Sequence, residues 1–306
     1  MKNTKRYRQL GGLVGVIVFL ISCGAEPPKP EIGIEHVLSL NPKAKALYYT
    51  QEAINAQKSN DYTSALSSLD SAVNSGANCP QCLLNYAQGL YQNGKFQDCY
   101  IQLSKYKTDN EHSVEIDILE GQLFYDIGAF DQCIPPLTNA LKTYPDSLPL
   151  LARLAVAQLR TGKYKQALDH LKICKSLKPK SAWQLPYLAE CYAGLQLYDS
   201  SKYALDIYQD GGYELNNKQL AVWCKSQNEI GLRHMRDTAY HKAMSCFTQV
   251  IGANPLNAEA YANRGILNII YFNRKYEGCL DLGIAIENGS QTAGHLYSTH
   301  CSDYSY

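Results

Sequence analysis

Apolar and polar positions along this chain change rhythm twice. Residues 1 to 9 carry Lys2, Lys5, Arg6 and Arg8 and no acid, and an unbroken apolar run, Leu10 to Ile21, follows. The run falls short of the roughly 20 residues that a membrane-spanning helix needs. With its basic leader it has the form of a secretion signal spanning residues 1–22. The next stretch, Gly24 to Pro30, is too rich in proline to pack and reads as part of a tether over 23–40.

From about Ala46 the pattern becomes helical and repetitive. Tyr62, Phe96, Phe130, Tyr164 and Tyr198 stand 34 residues apart. Nine positions before each is a small residue: Ala53, Ala87, Gly121, Ala155 and Ala189. Three positions after each is another, Ala65, Cys99, Cys133, Ala167 and Ser201, and seven after comes Leu69, Leu103, Leu137, Leu171 and Leu205. Two antiparallel helices cross closely only where both present small side chains. The aromatic then fills the wedge toward the next pair and the leucine covers the seam. Asn60-Asp61, Gly94-Lys95, Gly128-Ala129 and Gly162-Lys163 supply the turns between helices, and Pro145, Pro179 and Pro255 end the second helices.

These positions, and segments such as LEGQLFYDIGAFDQCIPPLTNALKTYP (119–145) and LARLAVAQLRTGKYKQALDHLKICKSLKP (151–179), resemble the tetratricopeptide (TPR) repeat. The resemblance implies an all-α fold, a right-handed superhelical solenoid of about seven helix pairs over 41–292. Its repeats lie near 46–79, 80–113, 114–147, 148–181, 182–215, 224–257 and 258–293, with a cap and tail over 293–306. An insertion near Asp210–Asn217 precedes the sixth unit, and its Gly211-Gly212 pair predicts a pivot there. Pro135-Pro136 predicts a kink in the third unit. Gly283 replaces the seam leucine in the seventh, which predicts looser packing.

Leu20-Ile21-Ser22-Cys23 resembles the bacterial lipobox. The resemblance implies cleavage before Cys23, acylation of that cysteine (palmitate among the chains) and lipid anchoring in the bacterial envelope. Gly24 in place of an inner-membrane retention aspartate favours the outer membrane. Removing residues 1–22 takes away four basic groups and no acid, leaving 25 basic against 28 acidic groups, or −3 in place of +1. That balance argues against a nucleic-acid partner.

No P-loop, GxSxG, HExxH or GxGxxG pattern occurs, and the periodic positions serve packing. The chain therefore reads as non-enzymatic, with no cofactor and no metal; His295 and His300 beside Cys301 read as tail residues. Ten cysteines remain after Cys23. Cys99, Cys133, Cys174 and Cys279 sit at packing positions, where a free thiol behaves as a small hydrophobe. Cys79-Pro80-Gln81-Cys82, at the start of a first helix, is a candidate local disulfide. Cys279 and Cys301 are a candidate link from the last repeat to its cap.

In TPR proteins the first helix carries the ligand positions. The resemblance places them here at Gln88, Tyr91 and Gln92; Gln122, Tyr125 and Asp126; Arg160; and Trp183 and Glu190. Thr50 and Ile54 stand where a carboxylate clamp would need Lys and Asn, so that activity is not implied. The reading is a membrane-tethered scaffold or adaptor that holds an envelope protein or peptide segment on its concave face. A surface receptor for a peptide or glycan is the alternative.

Overall fold

The computed structural model describes residues 41–303 except 60, 78 and 110–112. The signal, Cys23 and the tether lie outside the described residues, as do the Tyr62 side chain and Asn60. The described residues form helices and turns, with no strand among them. They divide into two compact units, one ending at residue 110 and the other beginning at 111, within the stretch read as a single solenoid.

The first unit holds two helix pairs: α1 (Pro42–Lys58) with α2 (Tyr62–Val73), and α3 (Pro80–Gln92) with α4 (Phe96–Asp109). The second begins with α5 (Val114–Asp126) and α6 (Phe130–Thr143), α7 (Leu148–Arg160) and α8 (Tyr164–Leu177), then α9 (Gln184–Gly194) and α10 (Tyr198–Asp210). It continues with α11 (Asn217–Arg236) and α12 (Tyr240–Ala253), α13 (Ala258–Ile270) and α14 (Lys275–Glu287), and ends in a single capping helix, α15 (Gln291–His300).

Local chemistry sets the helix ends. Asp61, Ser113, Asn257 and Ser290 each accept a backbone N–H of the first turn, and Asn216 with Gln219 forms a reciprocal capping box. Helices α6, α8 and α12 stop two residues before Pro145, Pro179 and Pro255. The residue between is driven out of the helical region: φ/ψ is −123/68 at Tyr144, −133/75 at Lys178 and −140/90 at Asn254. From α3 onward, each turn between paired helices contains one left-handed residue. Gly94, Gly128 and Gly162 supply it at φ +73, +79 and +75. Further on, Gln196, Thr238 and Asn273 take that conformation at φ +60, +58 and +53, which a β-branched threonine adopts only under strain.

The small positions do what their spacing predicts. Ala53, Ala87, Ala155, Ala167, Ala189 and Ala243 are at most 1% exposed, and Leu103, Leu137 and Leu171 are fully covered. A Cβ added to Gly121 would fall 2.6 Å from Leu137, and one on Gly231 2.6 Å from Phe247, the bulkiest fully buried side chain. The wedge is equally direct: the Tyr164 ring occupies the space where a Cβ on Gly194 of the next pair would stand, and Tyr240 stacks on Tyr271 with centroids 3.9 Å apart. In the last pair the second helix begins at Lys275, and the neighbouring Tyr276 is 65% exposed.

Helix α6 runs through Pro135 and Pro136. The carbonyls deprived of a donor belong to exposed Asp131 and Gln132, where water can satisfy them. Of the insertion near Asp210–Asn217, residues 211–216 form the connection; α11 begins at Asn217 and, at 20 residues, is about two turns longer than the 13-residue α13.

That connection is not a free pivot. Leu215, Val222 and Trp223 pack on Ala189, Ala204 and Leu205. Trp223 Nε1 donates to Asp206 at 2.9 Å, the Ser226 hydroxyl to that of Ser201 at 2.9 Å, and Arg233 makes a two-pronged bond to Asp199 at 2.6 and 2.8 Å. In the last pair, Gly283 does not loosen the packing. Its neighbour Leu282 is fully buried, and Gly265 and Gly278 let α13 and α14 approach until a Cβ on either would lie within 2.8 Å of the other's carbonyl oxygen.

Candidate functional site: the first-helix face

In the second unit the first helices stack on one another in order: α5 meets α7, α7 meets α9, α9 meets α11 and α11 meets α13. Alternation of first and second helices forces this. Each second helix fills the groove behind its own pair, so the first helices share one continuous face.

The sequence-derived candidates divide between the two units. On α3 in the first unit, Gln88 and Gln92 are exposed and Tyr91 is half-buried, its ring 5.9 Å from that of Phe96. On α5 in the second, Gln122 and Tyr125 are half-buried and Asp126 is exposed. Tyr125 meets Phe130 edge-on at 5.8 Å and takes the Arg153 guanidinium over its ring at 5.9 Å. Burial pushes the Tyr125 hydroxyl above its ordinary value, against the pull of Arg153 and Arg160. It therefore stays a neutral donor at physiological pH. Trp183 caps the start of α9 and meets Tyr187 edge-on at 6.0 Å.

Arg160 and Glu190, read separately as ligand positions, are brought together. The Glu190 carboxylate accepts from Arg160 at 2.8 Å and from Lys218 at 2.7 Å, so one side chain only 12% exposed joins α7, α9 and α11. Lys218 falls between the fifth unit (182–215) and the sixth (224–257), so the repeat pattern assigns it no place; the opposite charges of Arg160 and Glu190 on neighbouring units were the available signal. Glu190 is thus a strut of the face, while Tyr125, Gln122 and Trp183 are each partly exposed.

Two surface clefts lie within the second unit. One of about 400 Å³ is lined by Gln196, Tyr198, Glu229, Ile230, Arg233 and Arg236; the other, of about 440 Å³, by Val114, Asp117, Asn139, Lys142 and Thr143. Their charged walls are unlike the mainly apolar lining of small-molecule pockets. Among the described residues no group of three or more His, Cys, Asp and Glu could hold a metal ion, and no helix is long and apolar enough to cross a membrane.

Both candidate cysteine pairs are joined in the structure, Cys79 to Cys82 and Cys279 to Cys301. Six other cysteines are buried free thiols. Burial pushes Cys99 and Cys191 up to about 12 and Cys133, Cys174 and Cys224 up to about 11. They remain protonated and unreactive at neutral pH.

No protein-family profile matches the chain. Two curated proteins align with parts of it. "Protein CTR9 homolog" of Arabidopsis thaliana is 23% identical over 176 residues, 55% of this chain and 15% of the relative. "Signal recognition particle subunit SRP72" of Dictyostelium discoideum is 27% identical over 110 residues, 35% of this chain and 16% of the relative. The aligned segments thus span about a sixth of those relatives' length. Among solved structures, a tetratricopeptide repeat protein from Parabacteroides merdae matches with TM-score 0.50 at 17% identity, covering 83% of this chain and 97% of that one. MamA of AMB-1 matches with TM-score 0.50 at 19% identity, covering 56% of this chain and 94% of that one. These likenesses show the fold, a tetratricopeptide-repeat array.

Proposed function

We propose that this tetratricopeptide-repeat chain is a non-enzymatic adaptor, tethered by lipid to the outer membrane of a bacterial envelope. It holds a protein segment on its first-helix face. Repeat solenoids of this kind present extended faces for binding proteins. The observation that carries the reading is the uninterrupted stack α5, α7, α9, α11 and α13. Glu190 struts it from within, leaving the half-buried aromatics Tyr125 and Trp183 at its surface. Such rings give contact area at small entropy cost, as interface anchors do.

The tether reading rests on the sequence around Cys23. Several acyl chains hold a protein stably where one would not. Confinement to a surface raises the effective concentration of chain and partner without any new contact.

In-cell cross-linking followed by capture tests both parts. The native chain is expected to bring down an envelope protein. Cys23→Ser is expected to lose it by leaving the membrane, and Tyr125→Ala with Trp183→Ala to weaken capture about 30-fold or more while staying membrane-bound, as for anchor residues worth about 2 kcal/mol. No captured protein, or capture indifferent to the paired substitution, overturns the adaptor reading.

A further inference from the structure

The two disulfides differ in how an outside reagent can reach them. Cys279 is 3% exposed and Cys301 wholly buried, in a cluster with Leu282, Ala285 and Ala293. In the other pair only one sulfur is sealed. Cys82 is 3% exposed beneath Ala46 and Ala72, with the Thr50 hydroxyl 3.7 Å from its Sγ, whereas Cys79 is half-buried. Cys79 is also the residue that caps α3: its Sγ accepts the Cys82 N–H at 3.2 Å, and Pro80 fills the next position. A thiolate there gains a donor and the positive end of a 13-residue helix.

An accessible sulfur placed where negative charge is favoured, bonded to a buried one three residues on, is the arrangement that thiol–disulfide exchange needs. We propose that Cys79–Cys82 is an exchange site, a reversible two-electron couple that reacts with dithiols through Cys79.

One dithiol thiolate attacks Cys79 Sγ and forms a mixed disulfide. The Cys79–Cys82 bond breaks and its electron pair leaves on Cys82 Sγ, which takes up a proton. The second thiol, deprotonated, then attacks the reagent's own sulfur in that mixed disulfide. This expels Cys79 as a thiolate held by the helix N-terminus and releases the reagent as a cyclic disulfide. The dithiol loses two electrons and the cysteine pair gains them. In reverse, the Cys79 thiolate attacks a substrate disulfide and Cys82 resolves the adduct. The six buried thiols are too well covered to compete.

The test is a dithiothreitol titration of the folded full-length chain, with acid quench, alkylation and peptide mapping. Cys79 and Cys82 are expected to become alkylated together at about 100-fold less reductant than Cys279 and Cys301, while helix content is unchanged. Reduction of the two bonds in parallel, or only as the chain unfolds, overturns the proposal. A second arm uses oxidised glutathione with single substitutions. Cys82→Ser is expected to trap glutathione on Cys79, and Cys79→Ser to trap none on Cys82. Equal trapping in both, or none in either, overturns it. Should either variant fail to fold, the titration of the native chain decides alone.

Discussion

Replacing Gly278 by alanine sets two known effects of opposite sign against each other. In an unobstructed helix interior, Gly→Ala stabilises by about 1 kcal/mol, because glycine loses more backbone freedom on folding. At Gly278 the new Cβ would stand 2.4 Å from Ile269 Cγ1, 2.6 Å from the Gly265 carbonyl oxygen and 3.1 Å from Ile269 Cδ1. The isoleucine can relieve its Cγ1 contact only by changing χ1, which a β-branched side chain in a helix resists. The carbonyl belongs to the α13 backbone and cannot rotate away, so the helices must separate, at the cost of about 1–3 kcal/mol usual for overpacking and toward its upper end. The net expectation is destabilisation by about 1–2 kcal/mol. Gly294→Ala in α15 is the control. Nothing lies within 4 Å of its added Cβ, and the variant is expected to gain about 0.5–1 kcal/mol.

A repeat array need not unfold in one step, so the readout is native-state hydrogen exchange of α13 and α14 amides beside a urea titration. Protection in Gly278→Ala equal to or above that of the native chain would refute the close glycine crossing.

Three further outcomes follow from the same geometry. The Arg233 bond holds the Asp199 carboxyl below its ordinary value, so this contact contributes above the unfolded carboxylate range and is lost as pH falls through the depressed value. Melting midpoints of native chain and Asp199→Asn should differ at pH 7 and converge in acid; a gap that persists at pH 2 contradicts this. Thr238→Gly should relieve a left-handed threonine worth about 1–2 kcal/mol, less about 0.5–1 for the freer unfolded chain, so urea unfolding should show a small gain and not a loss. Cys279→Ser opens a loop whose ends are 22 residues apart, worth about 3 kcal/mol by loop-closure entropy, and should raise exchange in α15; unchanged protection there would count against it.

The spacing of Phe96, Phe130, Tyr164 and Tyr198 disclosed the helix pairs because packing at a crossing tolerates few side chains, and intolerance leaves a periodic mark. What stayed hidden depends on register or on partners far away in the chain. Counting from Tyr276 puts Gly283 at the seam, yet α14 begins one residue earlier, at Lys275, which puts Leu282 there and brings Gly265 against Gly278. Residues 217–223 lack the repeat's signature because they are extra turns placed before the part of α11 that follows the repeat, so Lys218 gave no sign of reaching Glu190. Arg160 and Glu190 looked like two open ligand positions because a single helix face does not show what the next helix offers it. Cys79 and Cys82 were legible as a pair from proximity alone; their unequal exposure required the neighbouring helix.

The joints of the second unit are not made alike. Between α6, α7, α8 and α9 they are mainly hydrocarbon, Leu137, Leu150, Leu154, Leu168, Leu171 and Leu185, with the Arg160–Glu190 pair added between α7 and α9. Further along, Ser201 meets Ser226, Gln227 meets Gln249, Asn228 meets Asn257, and Arg264 grips Asp281. Arrays built from one consensus unit have interchangeable parts, and members can be duplicated or deleted with little harm. Here excision of the unit made by α11 and α12 would remove Ser226 from Ser201 and Asn228 from Asn257, leaving Ser201 its bond to the Ala189 carbonyl and Asn257 its cap on the Ala260 N–H. Lengthening or shortening of this chain is therefore expected to be milder at the leucine joints than around α11 and α12, where hydroxyl and amide pairs would have to be remade.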